Sequence, residues 1–249
     1  MAQSILVVSD LKKTYTVGRA EANQAVSGVD LEIKAGECVC LLGPNGAGKT
    51  TTIMMILGFL QPSGGQITVC SDSVITHQEK ARSHISYIPD EVSLYPSLTA
   101  YDNLHFFDEL LATPKRSKQQ IEQISAQIGL YPDALKKKVS TFSKGMKQRL
   151  GIAVALLKDS SLFIFDEPTN GLDAVGIREF IQIVATLKGL NKGILVTTHD
   201  LLRVKSFATQ VVFLRGGKIK ARYAKSDLAG SLNLEAEYLK MIDDAKAGL

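Results

Sequence analysis

The stretch Gly43-Pro44-Asn45-Gly46-Ala47-Gly48-Lys49-Thr50 constrains this chain more than any other, because its pattern, G-x-x-x-x-G-K-[ST], requires a strand before it and a helix after it. Both flanks comply. Glu37-Cys38-Val39-Cys40-Leu41-Leu42 is a short apolar run that reads as a buried strand, and Thr51 to Leu57 is apolar enough for a packed helix. In that setting the glycines let successive backbone N–H groups point inward, and the helix N-terminus adds positive potential. Phosphate is the natural guest. Lys49 is placed to reach the outer phosphates as a mobile charge, and the Thr50 hydroxyl to ligate the magnesium that bridges them, so residues 43–51 are expected to hold a nucleoside triphosphate.

Composition bounds the rest. With 249 residues, 45% hydrophobic and 22% charged, the chain can bury a substantial core, which excludes a disordered protein. A net charge of +4 without a basic, aromatic-laced stripe gives no ground for a nucleic-acid partner, and Lys136-Lys137-Lys138 reads as a solvated helix end. The apolar run from Ile53 to Leu60 stops at Gln61-Pro62, too short to cross a bilayer, and Met1-Ala2-Gln3-Ser4 lacks the regions of a signal peptide. A cytoplasmic location is expected. Cys38 and Cys40, two apart on a strand, share a face, fit no metal-ligand spacing and are expected as buried thiols rather than a redox pair.

Taken in order, Ile5 to Val8 and Leu31 to Ile33 look like strands of a small sheet, with a loop at 17–23 between them. Tyr15, just before that loop, is either a packed aromatic or a platform for a nucleotide base. Gln61 to Gly65 is a turn, Gln66 to Val69 a strand, and Ile85 to Ile88 another strand broken by Pro89. From Leu98 to Leu157 the apolar period turns helical, through Leu104, Phe107 and Leu111, then Ile121, Ile124 and Ile128, then Leu150, Val154 and Leu157. Leu162 to Phe165 is apolar on both faces, as a central parallel strand is, and ligands bind at the carboxyl ends of such strands. That end carries Asp166, suited to hold magnesium, and Glu167, suited to orient and deprotonate an attacking water. Gly193 to Thr198 repeats the pattern and delivers His199 to the same edge, within reach of a terminal phosphate. His77, His84 and His105 have no such setting. Residues 210–214 and 218–222 flank the hairpin signal Arg215-Gly216-Gly217, and a final amphipathic helix runs through Leu234, Tyr238, Leu239 and Ile242.

Thr141-Phe142-Ser143-Lys144-Gly145-Met146-Lys147-Gln148-Arg149 narrows the field, because it resembles the signature of ATP-binding cassette (ABC) proteins, commonest as L-S-G-G-Q. Ser143 and Gly145 match it; Phe142, Lys144 and Met146 depart from it. The resemblance extends along nearly the whole chain: an aromatic at Tyr15, the Walker A loop, Asp90 where the family usually has glutamine, the signature, Asp166 and Glu167, the D-loop Gly171-Leu172-Asp173, and His199. It implies an α/β P-loop NTPase (RecA-like) fold with a parallel-sheet core, a small antiparallel β subdomain and a helical subdomain near 95–158. Residues 1–225 would form one nucleotide-binding domain and 226–249 a short helical tail. It further implies that Tyr15 stacks on adenine, that Asp90 joins Thr50 and Asp166 around Mg2+, and that Glu167, His199 and Asp90 serve ATP hydrolysis. Ser143, Lys144, Gly145 and Met146 would touch ATP held by a second cassette. With one copy of each motif the chain must meet such a partner, and the family pairs cassettes with a separate transmembrane permease at the inner face of the membrane. The S-K-G-M signature and the acidic Asp90 look like export-type cassettes; an importer subunit and a soluble cassette acting on ribosomes or nucleic acid are the alternatives.

Overall fold

Alternate residues of the same buried strands belong to two different cores, and that division explains the architecture. In the computed structural model, residues 3–16, 23–111, 114–228 and 233–240 are described, with the backbone alone of 241–243. A six-stranded sheet has the order β10-β9-β3-β8-β7-β6, built from β3 (Cys38–Leu42), β6 (Ile85–Ile88), β7 (Leu162–Asp166), β8 (Gly193–Thr198), β9 (Gln210–Arg215) and β10 (Lys218–Ala224). Its strands are parallel except β10, which returns antiparallel beside β9. Val39, Leu41, Leu162, Ile164 and Leu195 face one core; Cys38, Cys40, Leu42, Phe163, Phe165, Ile194 and Val196 face the other. Period-2 alternation with both faces apolar is the physical reason these strands read as unbroken hydrophobic runs.

The first core is closed by α1 (Lys49–Ile56) and by a four-stranded antiparallel sheet of order β2-β1-β4-β5, comprising β1 (Ser4–Tyr15), β2 (Asn23–Lys34), β4 (Gly64–Val69) and β5 (Asp72–Ser73). The short α2 (Gln78–Ser83) adds Ala81 to it. β1 and β2 run for 12 residues each, longer than the apolar pieces in the sequence. Register shifts between Val8 and Leu11, with Asp10 at φ +47°, break the alternation there and hide the strands' length. Of the expected 17–23 loop, residues 17–22 lie outside the described residues, and Asn23 opens β2.

The second core is covered by α3 (Ala100–Leu110), α4 (Lys118–Ala126), α5 (Pro132–Leu135), a 3-10 turn at Val139–Thr141, α6 (Lys144–Leu157) and α7 (Ala174–Gly189). Capping boxes start α3 and α4: Thr99 with Asp102, and Ser117 with Gln120. The periodicity at 98–157 therefore resolves into separate helices, and Lys136, Lys137 and Lys138 are exposed just past α5. α7 carries its apolar face on Ile177, Phe180, Val184 and Leu187 and received no assignment from the sequence. α8 (Leu201–Val204), α9 (Lys225–Leu228) and α10 (Leu234–Asp243) complete the chain. In α10, Leu234 is buried and Tyr238 packs on Phe213 with ring centroids 5.8 Å apart. Leu239 does not join them: it is 53% exposed, because the residue after an i, i+4 pair turns about a quarter-circle off the buried face. The Ile242 side chain lies outside the described residues. Cys38 and Cys40 are fully buried, and burial pushes the Cys40 thiol well up, so both behave as apolar packing.

Candidate functional site

The glycine loop leaves β3 and enters α1 under tight steric constraint. A Cβ on Gly43 would stand 2.2 Å from the Leu214 carbonyl oxygen, and Gly48, at φ +104°, is the residue before α1. Lys49 is 8% exposed; its Nζ donates to the carbonyl oxygens of Gly43, at 2.6 Å, and Pro44, at 3.2 Å. Burial lowers its pKa, while the carboxylates of Glu167 and Asp166 pull it back up, which places those two groups within electrostatic reach of the loop. Thr50 is exposed at the mouth of α1, whereas the Thr52 hydroxyl is spent on the Gly48 carbonyl at 2.8 Å. Tyr15 and residues from Pro44 to Thr51, Asn45, Gly46, Ala47 and Gly48 among them, line one cleft of about 460 Å³. Lys13 Nζ stands 5.3 Å from the Tyr15 ring centroid.

Three neighbouring strands build the acidic edge. Asp166, the last residue of β7, accepts from Thr197 Oγ1 of β8 at 2.5 Å through Oδ1 and from the Tyr87 hydroxyl of β6 at 3.2 Å through Oδ2. Burial and then the Asp166 charge push the Tyr87 phenol up to about 12, so it remains a donor at neutral pH. Glu167 sits at φ +50°, a strained conformation for a side chain of this kind, held by its N–H donating to the Thr197 carbonyl at 3.0 Å. His199 Nδ1 lies 2.9 Å from Glu167 Oε2; an ionised carboxylate only accepts, so Nδ1 carries the proton. The sequence reading missed Tyr87 and Thr197. Their signal was a polar group interrupting an otherwise apolar strand near its carboxyl end.

Asp90 is engaged on both oxygens: Oδ1 accepts from Lys144 Nζ at 2.6 Å and Oδ2 from Asn170 Nδ2 at 3.2 Å. Ser143 caps α6, accepting the Met146 N–H at 3.3 Å, and Asp173 caps α7, accepting the Gly176 N–H at 2.8 Å. Ser143, Lys144, Gly145, Met146 and Asp173 together line a second cleft of about 520 Å³. That cleft and the glycine-loop cleft have no lining residue in common. The two clefts are therefore distinct.

The donor set suits magnesium in a particular way. Thr50 and Asp166 offer hard oxygens, and no group of three or more His, Cys, Asp or Glu able to hold an ion occurs among the described residues. Magnesium bound through one carboxylate, a hydroxyl and substrate phosphates fits this arrangement, whereas a cage made of protein alone does not.

A family profile described as ABC transporter matches residues 26–170, from β2 through the turn at Asn170. The chain is 34% identical over 229 residues to the linearmycin resistance ATP-binding protein LnrL of Bacillus subtilis, covering 92% of this chain and 72% of that one. Among solved structures, an ATP-binding subunit of an ABC transporter superposes with a TM-score of 0.79 at 30% identity, covering 96% of this chain and 99% of the other. An ATP-binding cassette in a dimeric, post-hydrolysis state bound to ADP and Pi shares the fold, with a TM-score of 0.75 at 23% identity over 89% of this chain and 99% of that one. The glycine loop, the acidic strand end and these similarities lead to one assignment: the chain belongs to the ABC transporter family, as an ATP-binding subunit with ATPase activity.

Proposed function

We propose that this subunit powers export by closing against a second cassette, a copy of itself or a paralogue, so that each ATP is held between the glycine loop of one chain and the signature cleft of the other. The observation that carries this is the separation of the two clefts within one chain. Residues 43–51 bind the phosphates, Lys49 neutralises the outer ones and Tyr15 stacks on adenine. Thr50 and Asp166, joined by Asp90, would hold Mg2+, which when bound would offset the negative charge on the phosphates. Glu167 takes the proton of the attacking water, and His199 passes from Glu167 to the terminal phosphate, freeing that carboxylate as the site assembles. Ser143, Lys144, Gly145 and Met146, with Asp173 beside them, receive the partner's nucleotide. Residues 1–225 act as one nucleotide-binding domain, the helices at about 95–158 as its helical subdomain, and 226–249 as a tail.

A permease of separate chain completes the machine at the cytoplasmic face of the membrane. No helix among the described residues is long and apolar enough to cross a membrane. The helical side instead presents exposed apolar groups suited to a partner: Tyr95, Leu98, Phe106 and Leu110, with the Tyr95 and Phe106 rings in edge contact at 4.9 Å. Export is favoured over import by the S-K-G-M signature and by the resistance function in the name of the relative LnrL. A tagged chain purified from detergent-solubilised membranes of its host tests the assignment. An integral membrane protein in stoichiometric yield is expected; recovery of ribosomes, nucleic acid or soluble proteins alone would contradict it. ATP-driven uptake of the cargo into inside-out vesicles, rather than release, distinguishes exporter from importer.

A further inference from the structure

Tyr15 is the last residue of β1, and the strand end that carries it is tied to the turn that follows the glycine-loop helix α1. In that turn Ser63 donates its N–H to the Lys12 carbonyl at 2.8 Å, and its hydroxyl oxygen accepts the Thr14 N–H at 3.0 Å. Lys13 adds a third tie from its side chain: Nζ donates to the Gln61 carbonyl oxygen at 2.8 Å. Lys13 and Tyr15 are two apart on one strand, so their side chains share a face. The ammonium held by Gln61 stands over the Tyr15 ring, 5.3 Å from its centroid, within the range at which a cation is attracted to the negative face of an aromatic. The ring lines the glycine-loop cleft, whereas Lys13 does not. The lysine therefore anchors the ring without occupying the cleft.

We infer that Lys13 is a positioning residue for the base platform: pinned by the Gln61 carbonyl, its ammonium holds the Tyr15 ring in the orientation in which it meets adenine, and it makes no contact of its own with the nucleotide. The inference rests on the proposed stacking of Tyr15 on adenine. The need for an anchor follows from where the ring stands. Tyr15 is 39% exposed at a strand end, so packing does not by itself fix its rotamer. A base gains most from a ring already in place, because ordering that ring on binding subtracts from affinity. The residue type matters too. A methionine at position 13 would cover the ring but would carry no charge for its face and no donor for Gln61. An arginine would supply both.

The test is displacement of a ribose-labelled fluorescent ADP from the full-length protein, with Mg2+ present, by unlabelled ADP and separately by inorganic pyrophosphate, which has the phosphates without the base. Lys13→Met is expected to weaken ADP binding by about two- to fivefold, the range of an exposed cation–π contact, and to leave pyrophosphate at the parent affinity. Lys13→Arg keeps both near the parent values. Lys13→Gln, which keeps the donor and loses the charge, shows the same selective loss and serves should Lys13→Met fold poorly. Tyr15→Ala weakens ADP by itself, and adding Lys13→Met to it produces no further loss. Parent affinity for ADP in both Lys13→Met and Lys13→Gln, with Tyr15→Ala still weakened, would overturn the inference. So would an equal loss for ADP and pyrophosphate, which marks a charge acting on the phosphates, or an undiminished loss from Lys13→Met in the Tyr15→Ala background, which marks an effect that bypasses the ring. If Tyr15→Ala itself binds ADP as the parent does, the stacking in the proposed function fails, and the inference fails with it.

Discussion

At the level of single residues, the acidic edge works because its members constrain one another. Glu167 is bent into positive φ and held there by Thr197, and its carboxylate is engaged by His199, so small changes should have large kinetic effects and small structural ones. Glu167→Gln is expected to reduce steady-state ATP turnover by about two to four orders of magnitude while nucleotide binding by equilibrium dialysis is retained. Turnover at the parent rate would remove Glu167 from the role of base. Tyr87 gives a test in pH. Its pKa is raised above the ordinary phenol value of 10.0 to about 12, so the stability it contributes is complete below pH 10 and is lost as pH climbs through about 12. The ultraviolet difference between the parent protein and Tyr87→Phe should therefore titrate near 12; a difference titrating near 10 would mean that in solution Tyr87 is neither buried nor held beside Asp166. These residues also mark how far the sequence was legible. Lys49, Asp166, Glu167 and His199 are announced by motif and strand position. Tyr87 and Thr197 are not, because their part depends on strands β6, β7 and β8 lying side by side, which is a property of pairing rather than of any local pattern.

At the level of elements, the strands that deliver the site are rigid because they are buried on both faces. Phe165, fully buried in β7, meets Phe180 of α7 edge-on at 5.4 Å and lies 6.4 Å from Phe163. Phe165→Ala should cost about 3–5 kcal/mol in urea unfolding. A cost under about 1 kcal/mol would show that this layer repacks freely. The helices are joined by charge as well as by packing: Asp108 of α3, 2% exposed, accepts from Arg116 Nη1 at 2.6 Å and from the Arg116 N–H at 2.9 Å. Burial alone would raise the Asp108 pKa, but the Arg116 contacts outweigh it and hold the pKa below the ordinary value. The corresponding stability is present above the ordinary carboxylate pKa and lost as pH falls through the lowered one. Asp108→Asn should flatten the acid limb of the stability profile, and an unaltered limb would contradict this. Elements with a clean period were legible: β3, β7, β8 and α6 sit where their apolar runs place them. β1 and β2 were only partly so, because a bulge interrupts their alternation, whereas α7, whose period through Ile177, Phe180, Val184 and Leu187 is clean, was legible and unassigned.

At the level of the whole molecule, the proposed function makes the chain half of two sites rather than the whole of one. The glycine-loop cleft and the signature cleft share no lining residue: the first offers a glycine-rich loop and a lysine, the second a serine-capped helix start. On the proposed function, the energy of ATP binding appears as mechanical closure through a second cassette. The patch proposed to meet a permease on the helical side gains its meaning from that closure. The most direct measurement is sedimentation velocity of the Glu167→Gln protein with Mg2+ and either ATP or ADP. The account predicts a dimer with ATP and a monomer with ADP; a protein that stays monomeric at saturating ATP would contradict it.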